Sequence, residues 1–192
     1  MKRVVLIAGF AALVACNKGP EIDVKNASVG EVAEKAQAAA ANSQLVEPGR
    51  WETKITMLET EMPNLPPQYA ARIKESMAKA QSSSTATCIT AADLKKPMSG
   101  FLAANTKNCR FDHYTMSGGK LDAKMTCTVP QAWSFSVATT GTYSPESYEA
   151  TSVMTMSGGP MGEQTTKTRV ESHRVGACTC TEIKPKHQEI GQ

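Results

Sequence analysis

The 192-residue chain carries 21 basic and 18 acidic side chains, which gives a formal net charge of +3. The basic residues are scattered and aromatic residues do not interleave with them, so nucleic acid is not an expected partner. Aromatic residues make up only 5% of the chain. This composition predicts one domain with a thin core of β-branched and methionine side chains.

The first residues have the composition of a secretory signal. The basic pair Lys2-Arg3 precedes an apolar run, too short to span a bilayer comfortably, that ends in Leu13-Val14-Ala15-Cys16. This pattern resembles the bacterial lipobox, which implies that residues 1–15 are a lipoprotein signal peptide and that Cys16 carries acyl chains such as palmitate. Asn17, where an aspartate would favour inner-membrane retention, predicts the periplasmic face of the outer membrane. The alternatives are that Cys16 is an ordinary residue of a signal cleaved elsewhere, or part of an uncleaved anchor.

Residues 16–47 are interpreted as a tether between the lipid and the domain. Ser28 followed by Glu31 resembles a capping box, and the alanine-rich sequence after it fits a short, weakly amphipathic helix. A mostly disordered spacer is the favoured alternative. The folded domain is predicted over residues 48–180, followed by a polar tail over residues 181–192.

Local patterns predict the first elements of that domain. Apolar and charged residues alternate in its first strand, whose inward side chains are Trp51, Thr53, Ile55 and Met57. A proline-rich stretch ends the strand, and a helix is predicted over residues 67–80. A short strand follows at Cys88-Ile89. Thr90, with Asp93 three residues on, then caps another short helix.

A first hairpin is predicted around the loop Ser117-Gly118-Gly119, in which glycine supplies the positive φ that a tight turn requires. Centring the loop on Gly118 opposes Cys109 with Cys127, Phe111 with Met125, His113 with Ala123, and Thr115 with Leu121. Directly opposed residues have Cβ atoms about 4.5–5.5 Å apart, so this register predicts a Cys109–Cys127 disulfide. The same register places His113 on the apolar face.

A second hairpin is predicted to turn at Ser144-Pro145-Glu146-Ser147. Its register opposes Tyr143 with Tyr148, Gly141 with Ala150, Val137 with Met154, and Phe135 with Met156. A last strand is predicted from Gln164 to about Val175. The fold class is therefore mainly β, an antiparallel meander forming a curved open sheet or incomplete barrel with two short helices and disulfide staples. A possible apolar ligand face is formed by Trp133, Phe135, Val137, Met154 and Met156.

An ordered set of short motifs resembles a known family. The motifs are Pro48-Gly49-Arg50-Trp51-Glu52, Met62-Pro63, Cys88-Ile89-Thr90, Cys109, Gly118-Gly119-Lys120, Cys127, Gly141-Thr142-Tyr143, Tyr148, Met154-Thr155-Met156, Gly158-Gly159-Pro160-Met161 and Arg174-Val175-Gly176-x-Cys178. Their order over roughly residues 47–178 resembles the bacterial envelope family called domain of unknown function 3617. The resemblance implies no activity, cofactor or catalytic residue. It matches Cys178 to the closing cysteine of the family, which implies a Cys88–Cys178 disulfide and leaves Cys180 extra.

Reactive side chains do not form a recognisable catalytic or metal-binding motif. The three histidines, His113, His173 and His187, have no local signature of a catalytic triad around them. Cys178-Thr179-Cys180 lacks structural zinc spacing, and a disulfide cysteine with a spare thiol is favoured over a redox or metal pair. Methionine thioethers suit Cu(I), but core filling is favoured over a copper site. No enzyme activity, cofactor or metal is expected.

The sequence therefore predicts a lipid-anchored periplasmic protein that acts as a non-catalytic binding or envelope-maintenance module. Its expected partners are the membrane, through the lipid anchor, and an apolar small molecule or an envelope protein. A carrier of apolar ligands or lipids in the concavity of the sheet is the alternative function. A periplasmic enzyme or a methionine-based copper binder ranks third.

Overall fold

The computed structural model describes residues 21–42, 45–66, 68–69, 71–73, 75, 82–94, 108–129, 133–158 and 162–179. Its elements are β1 (Ile22–Ser28), α1 (Val29–Asn42), β2 (Gly49–Glu61), β3 (Ser82–Ile89), β4 (Cys109–Ser117), β5 (Lys120–Val129), β6 (Trp133–Ser144), β7 (Ser147–Gly158) and β8 (Gln164–Gly176). No helix in these ranges is long and apolar enough to cross a membrane.

All eight strands form one antiparallel sheet in the order β1-β4-β5-β6-β7-β8-β2-β3. Strands β4 to β8 are a meander in which each strand pairs with the next along the chain. The sheet is open, with β1 and β3 at its two edges. The predicted class, a mainly β open antiparallel sheet, is confirmed.

The segment predicted as a tether contributes a strand and a helix, so the spacer interpretation is wrong for residues 22–42. β1 pairs with β4, and Ile22, Val24 and Ala27 are buried against it. The helix begins as the capping box predicts, because the Glu31 amide donates to the Ser28 hydroxyl at 3.1 Å. The described fold therefore begins at β1 rather than at residue 48. Three predicted features lie outside the described residues: the signal peptide over residues 1–15, the lipid-attachment site Cys16 and the polar tail over residues 181–192.

Helix α1 packs a narrow row of apolar side chains against the β1 edge of the sheet. Val29, Val32 and Ala36 recur at helical spacing and are buried, together with apolar side chains of β1, β4 and β5. These small side chains let the helix lie close to the strands. Phe111 is the one aromatic residue among the described side chains that are buried in this cluster.

The register predicted for the first hairpin is right near the disulfide and wrong near the turn. Cys109 faces Cys127 and Phe111 faces Met125, but an irregularity then places one extra residue, Asp112, in β4. The loop is accordingly two residues long, Gly118-Gly119, both with positive φ. The prediction that Ala123 faces His113 and Leu121 faces Thr115 is therefore wrong.

This bulge changes which side chains point inward from β4. Tyr114 faces Ala123 and Met116 faces Leu121, so these two residues take the apolar face that was predicted for His113. The His113 ring lies on the other face, where its Nε2 is 3.1 Å from Asp122 Oδ1. β1 follows the same kink at Asn26, whose φ is 51° and whose side-chain oxygen accepts from Arg110 Nε at 2.8 Å.

The second hairpin has the predicted register at every predicted pair, including Tyr143 with Tyr148 and Phe135 with Met156. The two strands approach very closely at Gly141, where an added Cβ would lie 2.2 Å from the Glu149 carbonyl oxygen. Only glycine fits this position.

The two predicted helices of the domain fall mostly outside the described residues. Residues 68–69, 71–73 and 75 are helical, within the helix predicted over 67–80. At the start of the second predicted helix, the predicted cap is present. The Asp93 amide donates to the Thr90 hydroxyl at 3.2 Å, and the Thr90 amide donates to Asp93 Oδ2 at 3.0 Å.

Both predicted disulfides are present. Cys109–Cys127 lies in the core between β4 and β5, with Cα atoms 4.0 Å apart. Cys88–Cys178 joins edge strand β3 to the segment after β8, with Cα atoms 5.5 Å apart and a sequence separation of 90. The position of Cys180, the predicted spare thiol, lies outside the described residues.

Candidate functional site

The concave face of the sheet and α1 line a cavity of about 670 Å³ that is partly open to solvent. This volume lies within the range of about 300–1,000 Å³ that is typical of small-molecule sites. Its walls come from β2, β3, β4, β6, β7, β8, α1 and the segment before β2. The lining residues are Ala36, Gln37, Leu45, Val46, Pro48, Trp51, Thr53, Ile89, Asp93, Leu94, Tyr114, Met116, Tyr143, Ser144, Ser147, Tyr148, Val170 and Ser172.

Three tyrosines supply most of the aromatic surface of this cavity. Tyr143 and Tyr148 face each other across β6 and β7, and Tyr114 reaches toward them from β4. Burial raises the pKa of all three phenols, and the neighbouring Tyr148 and Tyr143 raise the pKa of Tyr114 further. The phenols therefore stay neutral and keep their O–H donors at neutral pH.

The tyrosines differ in how their hydroxyl groups are engaged. Tyr114 donates to the Met116 sulfur at 3.8 Å, a weak acceptor at long range. Tyr143 interacts with the backbone of Gly119, which partly opposes the rise in its pKa. The hydroxyl of Tyr148 has no hydrogen-bond partner among the described residues. Tyr114 and Tyr148 thus have donor capacity to offer to a bound molecule.

Trp51 forms the wall contributed by β2, and only 4% of its surface is exposed. Its indole N–H donates to the Glu47 carbonyl oxygen at 3.0 Å, which fixes the orientation of the ring. Gly49, two residues earlier, has a φ of 154°, and a Cβ there would lie 2.4 Å from the Gly176 carbonyl oxygen. In the Pro48-Gly49-Arg50-Trp51 motif, glycine is therefore needed where the backbone passes close to Gly176, and this position of the backbone places Trp51 in the cavity wall.

The rim of the cavity is tied together by hydrogen bonds between distant segments. The Glu47 amide donates to the Pro145 carbonyl oxygen at 2.8 Å, and the Arg174 amide donates to that of Glu146 at 2.9 Å. The Arg174 guanidinium also donates to the Pro48 carbonyl oxygen at 2.9 Å and lies 3.4 Å from the Glu146 carboxylate. The first and last of the motifs, which begin at Pro48 and Arg174, therefore meet beside the turn between β6 and β7.

The polar side chains of the wall are largely satisfied within the protein. Thr53 and Ser172 share a hydrogen bond of 2.8 Å, and Ser144 and Ser147 share one of 2.7 Å. Asp93 is the sole charged residue among the described lining residues, and its carboxylate accepts from Thr90 at 2.6 Å. The interior is thus apolar and contains no cationic side chain from the described part of the chain.

The five residues predicted as a ligand face lie together, but at the other end of the same sheet face. Phe135 pairs with Met156, Val137 pairs with Met154, and the Trp133 and Phe135 rings stack at 5.3 Å. Trp133 is 39% exposed and none of the five lines the cavity. Among the described residues, the cavity on the concave face therefore lies near the turn between β6 and β7 and does not extend to this predicted ligand face.

Other predicted candidates are not brought together into a reactive site. His113 lies on the outer face, and His173 lies in a separate polar groove on that face with Glu52, Lys54 and Glu171. Within the ranges described, no group of three or more His, Cys, Asp or Glu side chains could hold a metal ion. That the protein binds no metal and has no enzyme activity therefore stays a prediction.

Sequence reasoning missed Trp51, Tyr114 and Tyr148 as wall residues of one cavity. The facing of Tyr143 and Tyr148 was available from the hairpin register, but nothing in the sequence showed that α1 covers this end. The place of Tyr114 in the wall could not be predicted, because the bulge at Asp112 moves its side chain to the opposite face of the sheet. Alternation alone indicates a face and does not show where that face is enclosed.

The described residues form one open antiparallel sheet whose concave face, together with α1, lines a partly open apolar cavity. The chain is therefore a one-sheet β domain with a cavity on one face. Residues 46–178 match the model of a family described as protein of unknown function, DUF3617, and the chain belongs to that family. No curated protein and no solved structure matches the chain.

Proposed function

We propose that this protein is a non-catalytic binding protein of the bacterial envelope that holds an apolar small molecule or lipid in its cavity. The observation that carries the proposal is the partly open, mostly apolar space of about 670 Å³, whose wall includes Trp51, Tyr114, Tyr143 and Tyr148. An apolar space of this size loses dispersion contacts when it is empty, and it gains them when a hydrocarbon group enters. This proposal favours the carrier among the functions predicted from sequence.

Filling the cavity should displace the bound molecule. We expect apolar molecules to co-purify with the wild-type protein and to be largely lost from Val170→Phe, because Val170 lines the cavity. Native mass spectrometry of protein purified from cell envelopes measures the bound fraction. Val137→Phe is the matched control, since Val137 lies on the same face outside the cavity. Equal retention by both variants, or a wild type that never carries an apolar molecule, would contradict the proposal.

The proposal includes attachment to the periplasmic face of the outer membrane through lipid on Cys16. Two or more acyl chains on one cysteine are enough for stable anchoring, whereas one chain gives only marginal binding. The support for this part is the lipobox-like sequence before Cys16. A cavity held at a membrane surface has direct access to apolar molecules in that membrane.

Cys16→Ser should abolish lipid incorporation, because only a thiol is alkylated at this position. We expect labelled palmitate to enter the wild type and not this variant, which should accumulate as an unprocessed or wrongly cleaved precursor. Cys180→Ser is the matched control and should label normally. Anchoring is wrong if the wild type fractionates with soluble periplasmic proteins.

A further inference from the structure

The balance of charge and hydrogen-bond donors around the cavity restricts the ligand further. The described lining residues include no Lys, Arg or His, and their one carboxylate, on Asp93, already accepts from Thr90. Arg174 stands at the rim, but its guanidinium contacts the Pro48 carbonyl oxygen and the carboxylates of Glu47 and Glu146. An anion that entered the cavity would therefore lose part of its hydration without gaining a cationic partner from the described lining.

The polar groups still available in the described lining are neutral: the amide of Gln37, which both donates and accepts, and two phenol hydroxyls that can donate. Tyr148 has no hydrogen-bond partner among the described residues, and Tyr114 has only the Met116 sulfur at 3.8 Å. Both hydroxyl groups belong to residues of the cavity lining, in which Trp51, Ile89 and Val170 offer only apolar surface or an N–H that is already engaged. The lining is thus mostly apolar, which suits hydrocarbon, and its two phenol donors suit an oxygen acceptor.

We propose that the ligand is an amphiphile with an uncharged, oxygen-bearing head group that accepts hydrogen bonds from Tyr114 and Tyr148, while its hydrocarbon part contacts the apolar lining residues. This inference rests on the proposed function and adds the chemistry of the head group. An ester, alcohol or ketone oxygen meets the requirement. A carboxylate or phosphate carries the same oxygens with a charge that the cavity does not compensate.

Monolauroylglycerol and laurate test this directly, because they share the same acyl chain and differ in the charge of the head group. The protein is residues 17–192 exported behind an ordinary cleavable signal, which retains every described element and both disulfides. The chain has two tryptophans, so Trp133→Phe leaves Trp51, in the cavity wall, as the reporter for fluorescence titration. At neutral pH monolauroylglycerol should bind at least about tenfold more tightly than laurate.

Single tyrosine variants assign the hydrogen bonds. Tyr114→Phe and Tyr148→Phe keep the rings and should each weaken monolauroylglycerol binding about three- to tenfold, the usual value of one hydrogen bond. Tyr69→Phe is the control, because Tyr69 is 55% exposed and does not line the cavity. Circular dichroism melting of each variant separates loss of binding from loss of folding.

The outcomes distinguish this inference from the function on which it rests. If neither amphiphile binds, the proposed function is wrong. If laurate binds as tightly as monolauroylglycerol, the cavity does bind apolar molecules but the inference of an uncharged head group is overturned. If monolauroylglycerol is preferred but both tyrosine variants bind it like the wild type, the assignment of Tyr114 and Tyr148 is overturned.

Discussion

Replacing the Cys88–Cys178 disulfide with a pair of valines should lower the free energy of unfolding by about 4–5 kcal/mol. The bridge closes a loop of 90 residues, and on the chain-entropy model the stabilisation grows with loop length. Strand β3 is an edge strand that pairs only with β2, so the bridge is its second attachment to the sheet. For a chain of this size the melting temperature should fall by roughly 10–20 °C.

The matched comparison is Cys109→Val/Cys127→Val, which removes the other disulfide and keeps apolar side chains in the core. That bridge spans 18 residues and links strands already paired in a hairpin, so its loss should cost about 3 kcal/mol at most. Urea unfolding followed by circular dichroism gives both values. The argument fails if the short-loop variant is the less stable of the two.

The two hairpins show how far the sequence alone predicts this sheet. In the second hairpin, a proline turn and regular alternation fix the pairing, and every predicted pair is present. In the first hairpin the same reasoning predicts Cys109 opposite Cys127 but misses the bulge at Asp112. A bulge adds a residue without changing the composition of the strand, so alternation cannot reveal it until the partner strand is known.

The N-terminal segment and the cavity could not be predicted for a different reason. β1 is a short edge strand, and its place beside β4 depends on pairing over a long sequence separation. The capping box predicted that a helix begins at Ser28 but carried no information on where that helix docks. Because α1 contributes to the wall, the enclosed end of the concave face could not be located before its docking was known.

Trp51→Ala should destabilise the domain by about 3 kcal/mol, at the lower end of the range for a buried aromatic residue. The ring is 4% exposed and donates to the Glu47 carbonyl oxygen, so the variant loses both apolar burial and a hydrogen bond that orders the rim. The cost is moderated because the ring already borders a cavity, which the substitution enlarges without opening a new void in a packed core.

Trp133→Ala is the matched control, because it removes the other tryptophan from the same face of the sheet. Trp133 is 39% exposed and stacks on Phe135, so its loss should cost about 1 kcal/mol or less. Urea unfolding followed by circular dichroism compares the two variants without relying on tryptophan emission. Equal destabilisation would contradict the view that Trp51 joins the rim to the sheet, since that view requires Trp51 to contribute a hydrogen bond and buried surface that Trp133 lacks.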